Sequence, residues 1–200
     1  MRMRFEGEIS GVGSTSGTRV VVGRWWDSPF GDVADAMVER ADGHRVLVAP
    51  TEDLAEFIAA TYTFDEVRIE PVTAIADGPA RRFESPSLQL TWRLGAPTLL
   101  GRLVGLVPRR VATSPAWCAV TDPVARVVLR GVRTRGTAGN GRTESYGATG
   151  VRSLVAAEGR FDGADLGALA PVDPPCRFGF SSTPRRPSAT RVTTTVDVPA

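Results

Sequence analysis

Lysine is absent from this sequence of 200 residues, so all 24 of its lysine-or-arginine positions are arginine. The absence excludes enzymes that form a Schiff base through lysine, lysine-bound pyridoxal phosphate, and phosphate loops that need a lysine. Histidine occurs once, as His44, which excludes a metal site built from two or three imidazoles of one chain. His44 directly follows an Asp42-Gly43 turn, and this position predicts a structural rather than a catalytic histidine.

Cysteine and long apolar runs are also scarce. Cys118 and Cys176 are too few for a four-cysteine zinc site. They indicate buried or free thiols in a reducing compartment, with a disulfide between them as the lesser alternative. The first ten residues contain no apolar signal core, and Arg102 interrupts the longest apolar stretch, which is too short to span a bilayer. We therefore expect a cytoplasmic protein that needs no metal and no cofactor and has no membrane partner.

Glycine, by contrast, is frequent, and the stretch EISGVGSTSGTRVVVG at residues 8–23 resembles a phosphate-binding loop at first sight. Such a loop needs a helix directly after the glycines, so that the helix N-terminus meets the phosphate. Here the glycines are followed by Val20, Val21 and Val22, which are β-branched and favour a strand. The stretch therefore predicts a β-hairpin.

The same spacing of turns and alternating residues continues along the chain and predicts a mainly antiparallel β fold of about ten strands. We expect either a barrel or two packed sheets. One or two short helices are predicted, at TEDLAEFIAATY with Thr51 as its cap and at PTLLGRLVGLV. The segment around Asp122-Pro123 is predicted to be a hairpin turn between two strands.

The domain organisation follows from composition. Residues 1–172 are predicted to form a single β-rich domain, and residues 173–200 a proline-rich connector followed by a C-terminal strand. Four short sequence echoes occur in the same order in residues 1–78 and 79–172, for example Arg4-Phe5-Glu6 and Arg82-Phe83-Glu84. They suggest an internal duplication of one β-rich unit, which remains an alternative to a single unrepeated domain.

Charge is distributed unevenly. Residues 27–84 contain thirteen acidic residues and five arginines, whereas residues 85–160 contain three acidic residues and eleven arginines. The halves can face each other, or chains can pair through opposite faces as a homodimer, or the second half can bind an anion. No nucleic-acid partner is expected, since no motif that interleaves aromatic and basic residues occurs.

The candidate ligand-binding residues come from two segments. Trp25 and Trp26 are adjacent on a predicted strand and point to opposite faces, so one enters the core and the other lines a cavity mouth or an interface. In the second segment, arginine side chains can hold a carboxylate or a phosphate through bidentate contacts. The candidates there are Arg130, Arg133, Arg135 and Arg142, with Tyr146 across the loop.

Paired carboxylates are the third candidate. Asp65-Glu66, Glu52-Asp53 and the pair Asp32 and Asp35 are compatible with a glycosidase pair or a divalent-metal site. Solvated turns and the positive end of a helix explain them more simply, so no catalytic residue and no metal ligand is assigned.

Two resemblances bear on function. The tripeptide Gly23-x-Trp25 resembles the Gly-x-Trp of lipocalin-type barrels, which implies a small apolar ligand inside a barrel. The stretches SPFGDVADAMVERADGHRVLVAP and ATSPAWCAVTDPVARVVLRGVRTRG resemble conserved hypothetical proteins of GC-rich actinobacteria. That resemblance implies a compartment but no activity.

Three functions remain open. The leading hypothesis is a non-catalytic protein that binds a small apolar or anionic ligand near the two tryptophans, Arg133 and Arg135. The second is a self-associating interaction or structural module, which an exposed apolar patch would favour. The third is an enzyme that uses carboxylates and arginine without a cofactor, which a buried carboxylate in a pocket would favour.

Overall fold

The computed structural model describes residues 1–129, 131–137 and 139–199. The strands are β1 (Arg2–Ser14), β2 (Arg19–Asp27), β3 (Val33–Glu39), β4 (Arg45–Ala49), β5 (Glu66–Ile69), β6 (Thr73–Asp77), β7 (Ala80–Glu84), β8 (Leu88–Pro97), β9 (Arg135–Thr137), β10 (Thr143–Phe161), β11 (Ala164–Asp165), β12 (Leu169–Ala170) and β13 (Ser188–Asp197). The helices are α1 (Glu52–Ala59), α2 (Leu99–Gly105), α3 (Arg109–Ala112) and α4 (Pro115–Val128). The mainly β fold is confirmed, although the described residues contain four short helices rather than one or two.

The strands form one curled sheet, a half-barrel, in the order β5-β4-β3-β2-β1-β13-β10-β8-β7-β6. The pairs along this path are antiparallel except for β4 and β5, which are parallel. The short strands β9 and β11 pair with β10, and β12 pairs with β1. The C-terminal strand β13 lies at the middle of the sheet, between β1 and β10.

A short link explains why the sheet curls. Strands β5 and β6 lie at opposite ends of the ten-strand order, yet only residues 70–72 separate them along the chain. Ten strands laid flat would place the two edge strands about 43 Å apart, at a spacing of about 4.8 Å. A fully extended link from Ile69 to Thr73 reaches at most about 14 Å. The sheet must therefore bend until its two edges approach each other.

The curl gives the sheet an interior face and an outer face. In β2, β3 and β4 the even-numbered residues point inward, where Val22, Val38 and Val48 pack against Phe83 and Leu90 from the other end of the sheet. This cluster fills the interior with apolar side chains. The odd-numbered residues of the same strands point outward, and helix α1 and the segment after β12 cover them.

Several local predictions are confirmed. The glycine-rich stretch is the β1–β2 hairpin, and Gly17 takes the positive φ of 83° that its turn requires. Asp42 and Gly43 lie in the turn between β3 and β4. Thr51 caps α1, since its hydroxyl accepts a hydrogen bond from the backbone N–H of Leu54.

The predicted hairpin turn at Asp122-Pro123 is wrong, because α4 runs through both residues. The Ser114 hydroxyl caps this helix by accepting a hydrogen bond from the backbone N–H of Trp117. Pro123 lies inside the helix, where it removes one backbone hydrogen bond and where proline is rare. The valines on either side of it favour a strand locally. The packing of α4 on the sheet overrides that preference.

A buried ion pair attaches the segment after β12 to the outer face of the sheet. The Glu39 carboxylate is fully buried and lies 2.9 Å from the Arg19 guanidinium, which is also buried. Glu39 also accepts hydrogen bonds from the backbone N–H and the Nε of Arg177, at 2.8 Å and 3.1 Å. One carboxylate thereby holds the segment after β12 against β2 and β3.

Among the helices of the described residues, none has the length and apolar character to cross a bilayer.

We predict that Glu39→Gln lowers the free energy of unfolding by about 3–5 kcal/mol, because it leaves the Arg19 charge buried without its partner. Urea denaturation measures the change. The matched control is Glu84→Gln, which removes a carboxylate that pairs with Arg82 at the surface and should change stability by less than about 1 kcal/mol. Equal effects of the two substitutions would contradict this account of the buried pair.

Candidate functional site

A cavity lies between the outer face of the sheet and the segments that cover it. Its large compartment, of about 500 Å³, is lined mainly by apolar side chains of α2, α4, the sheet and the segment after β12. A small compartment of about 60 Å³ lies under α1. The two compartments share five lining residues, which are Ile9, Val21, Met37, Tyr62 and Tyr146. A volume of several hundred Å³ is typical of a site for a small organic molecule.

Three polar side chains meet where the two compartments join. Glu144 and Tyr146 lie two residues apart on β10 and so point to the same face of the sheet. Tyr62 follows α1 and reaches the same point. The Glu144 Oε2 atom accepts hydrogen bonds from the hydroxyls of Tyr62 and Tyr146, at 2.8 Å and 2.7 Å, and the two hydroxyl oxygens are 2.5 Å apart.

The surroundings of Glu144 favour its protonated form. Burial raises the pKa of Glu144, although its hydrogen bonds to the two hydroxyls and the charge of Arg142 oppose the shift. Glu144 is therefore protonated more readily than an exposed glutamate.

The tyrosine hydroxyls stay protonated. Burial raises the pKa values of both Tyr62 and Tyr146 well above their usual range, and a charge on Glu144 would raise them further. Tyr146 is additionally held by the ring of Phe180, which stacks on it at a centroid distance of 5.7 Å. The two tyrosine hydroxyls are thus hydrogen-bond donors that carry no charge.

A second buried carboxyl group lines the small compartment. Asp35 on β3 accepts a hydrogen bond from the indole Nε1 of Trp25 at 2.9 Å. Burial raises the pKa of Asp35 to about 7, and the hydrogen bond from Trp25 partly offsets that shift. A Cβ atom at position 23 would lie 2.6 Å from the Asp35 carboxylate and 2.7 Å from the indole nitrogen, so Gly23 is needed for this contact.

One further polar atom in the small compartment has no partner. Thr194 on β13 is 5% exposed and lies directly across from Tyr146 in the sheet. Its hydroxyl is buried and has no hydrogen-bond partner among the described residues. A buried hydroxyl without a partner is costly, and a polar atom of a bound molecule would remove that cost.

The structure places the predicted ligand-binding residues in different surroundings. Trp25 and Tyr146 line the cavity, as described above, whereas Trp26 is 40% exposed and lies under the Arg191 guanidinium. Arg135 is exposed on β9. Arg142 donates hydrogen bonds to the Phe57 carbonyl and the Thr61 hydroxyl, each at 2.8 Å. Of this set the cavity brings together Trp25, Tyr146 and Arg133.

Arg133 reaches the large compartment with its charge already paired. Its Nε lies 3.2 Å from both carboxylate oxygens of Asp122. The partner therefore comes from the arginine-rich half of the chain and not from the acidic half. Arg133 lies in the loop between α4 and β9, and not on a strand following a hairpin turn at Asp122-Pro123. Arg130 lies outside the described residues.

The paired carboxylates do not form a common site. Asp32 binds Arg24 at the surface, whereas Asp35 is buried, and Glu52 and Asp53 begin α1. Asp65 and Glu66 are held by Arg45 and Arg68, and His44 lies 3.3 Å from Glu66. Across residues 1–129, 131–137 and 139–199, no group of three or more His, Cys, Asp or Glu side chains could hold a metal ion.

Sequence reasoning missed Glu144 and Tyr62 and gave Asp35 no role. Glu144 lies in a polar stretch, and its partner Tyr62 is 82 residues away, so no local pattern connects them. A weak signal was present in both cases. Asp35 is the one acidic residue inside the otherwise apolar run ADAMV, and the spacing of Glu144 and Tyr146 places a carboxyl and a phenol on one strand face.

The resemblance to lipocalin-type barrels implied a ligand inside the barrel, and the structure corrects this expectation. The interior is filled by the apolar cluster around Val38 and Phe83. The cavity lies on the other face of the sheet, where Trp25 lines it.

Comparison with known proteins identifies a similar structure but no matching sequence family. No protein-family model matches the sequence. No curated protein matches it either. The structure is similar to the crystal structure of acetoacetate decarboxylase from Legionella pneumophila subsp. pneumophila str. Philadelphia 1, with 8% sequence identity and a TM-score of 0.44. The match covers 98% of this chain and 84% of that chain.

The similar structure is that of an enzyme, and the leading hypothesis of a non-catalytic ligand-binding protein is not retained. At so low a TM-score the similarity assigns no reaction and no residue role to this chain. The chemistry must be inferred from the cavity and its buried carboxyl groups.

We predict that Asp35 makes stability depend on pH. A raised carboxyl pKa stabilises the fold fully below the unfolded pKa of about 4, and that contribution is lost as pH rises towards about 7. Asp35→Asn keeps a carbonyl acceptor for Trp25 but cannot ionise. Between pH 5 and 8, the free energy of unfolding of wild type should therefore fall by roughly 2–3 kcal/mol relative to that of the variant, at about 1.4 kcal/mol per pKa unit.

Chemical denaturation of both proteins at each pH measures this difference. Glu144 is present in both proteins, so its own titration largely cancels in the comparison. Parallel stability curves for wild type and Asp35→Asn across this range would contradict the raised pKa.

Proposed function

We propose that this chain is an enzyme that transfers a proton at the carbon next to a carbonyl group of a largely apolar substrate. The observation that carries the proposal is the buried Glu144 carboxyl group, hydrogen-bonded to the hydroxyls of Tyr62 and Tyr146 at the edge of an apolar cavity. In the proposed reaction this carboxyl group is protonated. Uncharged donors in apolar surroundings stabilise the oxygen of an enolate as its charge develops. A tyrosine beside a protonated carboxylic acid is a documented arrangement for this purpose.

The carbonyl oxygen of the substrate is held by this cluster. On binding, one of the donors turns from its neighbour in the cluster towards the substrate oxygen. The Thr194 hydroxyl, which is buried in the same compartment without a partner, is available as a further donor. The chain contains no lysine, so the carbonyl cannot be activated as a Schiff base, and hydrogen bonding must serve instead.

Asp35 is the base of the proposed reaction. Its pKa of about 7 suits a group that both accepts and returns a proton at neutral pH. Trp25 engages its Oδ1, and no described hydrogen bond engages its Oδ2. Asp35 takes the proton as the substrate C–H bond breaks, and the electron pair of that bond moves towards the carbonyl oxygen held by Glu144 and the tyrosines. Return of the proton to carbon reverses the step.

The rest of the substrate is apolar and uncharged. The large compartment is lined mostly by aliphatic and aromatic side chains, and Arg133 is paired with Asp122. A substrate anion would have to compete with that ion pair. We also propose a cytoplasmic location, which the two free, buried cysteines Cys118 and Cys176 support.

The experiment is proton exchange at carbon, followed by NMR in D₂O on aryl and alkyl methyl ketones. Wild type should exchange the protons next to the carbonyl, with a rate that rises as pH passes about 7 and Asp35 ionises. Asp35→Asn removes the base and should slow exchange by about 10²–10⁴. Glu144→Gln removes the acidic donor and should slow it by about 10²–10³.

The control variant is Asp77→Asn, which changes an exposed carboxylate on β6 and should leave the rate unchanged. If wild type exchanges no ketone faster than buffer, or if both Asp35→Asn and Glu144→Gln keep the full rate, the proposed function is wrong.

A further inference from the structure

A second feature of the molecule is an apolar surface on α2, on the residue that ends it, and on α4. We call it the helical patch, and it consists of Leu99, Leu103, Leu106, Val120, Val124 and Val127. Its three leucines are 75%, 55% and 81% exposed. Isolated exposed leucines are ordinary, but here six large apolar side chains are exposed on α4, on α2 and on its C-terminal residue, and both helices line one cavity. A large exposed apolar patch marks a surface that another apolar phase or molecule covers.

Helix α2 carries apolar side chains on both of its sides. Leu100 and Val104 line the large compartment of the cavity, and Gly101 lies against the backbone of β10 at Val151. Leu99 and Leu103 point the other way, into solvent. A helix that is hydrophobic all round is normally buried on all sides. The outward side of α2 is therefore expected to have its own apolar partner.

The charges around the helical patch are basic. Residues 99–128 contain four arginines, at positions 102, 109, 110 and 126, and a single acidic residue, Asp122. Asp122 is buried, and its carboxylate already contacts Arg126 and Arg133. Arg109 contacts Glu6 of β1, whereas Arg102 and Arg110 are exposed and form no ion pair among the described residues. Leucine and valine beside arginine are the composition of elements that lie in the interface of an anionic membrane.

We propose that the helical patch docks onto the surface of a bilayer that contains anionic phospholipid. Its leucines enter the boundary between headgroups and acyl chains, while the arginines contact the headgroup phosphates. A second copy of the chain fits less well. A symmetric pair would bring the same basic surface against itself and place like charges opposite each other. This proposal departs from the sequence-based expectation of no membrane partner.

The helical patch adjoins the large compartment of the cavity, so docking would bring the cavity close to the bilayer. Val120 and Val124 belong to the helical patch and also line the large compartment, so the wall of the cavity is part of the docked surface. An apolar molecule dissolved in the bilayer would then have a short path into the cavity. This last step rests on the proposed function, whereas the docking itself does not.

The experiment is sedimentation of the full chain with vesicles of phosphatidylcholine, with and without phosphatidylserine. Wild type should bind the vesicles with phosphatidylserine more tightly. Leu103→Glu combined with Leu106→Glu should weaken binding at least about tenfold, because it removes two apolar anchors. Arg102→Gln and Arg110→Gln should each weaken it roughly fivefold. Ile75→Glu, at a 48% exposed position on β6, is the matched control and should bind like wild type.

Thermal unfolding of each variant checks that it is folded, and the exposed positions should leave the unfolding temperature unchanged. Binding to both vesicle types with equal strength, or equal loss of binding in Ile75→Glu, would overturn the proposal. Absence of vesicle binding by wild type would overturn it too. In that case a concentration-dependent dimer in analytical ultracentrifugation, abolished by the double leucine variant, would identify a second copy as the occupant. Vesicle binding is measured without substrate, so a failure of the ketone-exchange assay leaves this result unaffected.

Discussion

The link of three residues between β5 and β6 is the constraint on which the rest of the structure depends. It joins the two edges of the ten-strand sheet, so the sheet must curl and must divide its side chains between an interior and an outer face. The interior is filled by apolar side chains from both ends of the sheet, which leaves it no room for a ligand. The cavity lies on the outer face instead, beneath α1, α2, α4 and the segment after β12.

On that face, polar groups are placed where water is excluded, and their protonation follows from that placement. Burial raises the pKa of Glu144, which lies against two tyrosine hydroxyls. Asp35, which lines the same compartment, has its pKa raised to about 7. In the proposed reaction these two carboxyl groups take complementary roles, Glu144 as the acid that donates and Asp35 as the base that accepts.

Local features of the fold were predictable from the sequence because they depend on neighbouring residues. The β1–β2 hairpin follows from glycines between β-branched runs, and the cap of α1 follows from Thr51 and the acidic residues behind it. Helix α4 was missed because its valines and Pro123 favour a strand and a turn when packing is ignored. The lack of lysine excludes Schiff-base chemistry by a lysine of this chain without any knowledge of the fold.

The site itself was mostly out of reach of sequence reasoning. Tyr146 and Trp25 were predicted to bind a ligand, but Glu144 and Asp35, the carboxyl groups to which they donate hydrogen bonds, were given no role. Tyr62 comes to Glu144 from 82 residues away, and only the curled sheet and α1 bring the two together. Arg133 and Arg142 were predicted to hold a carboxylate or a phosphate of a ligand, yet both bind groups of the protein itself.

The protonation state of Glu144 is the centre of this account, and infrared spectroscopy measures it most directly. The Asp35→Asn protein, which has one candidate fewer for a protonated buried carboxyl, is compared at neutral pH with the same protein carrying Glu144→Gln as well. The account predicts a carboxylic acid C=O band that disappears when Glu144 is replaced. A spectrum without that band, with a carboxylate signal that disappears instead, would show that Glu144 is ionised and would contradict the account.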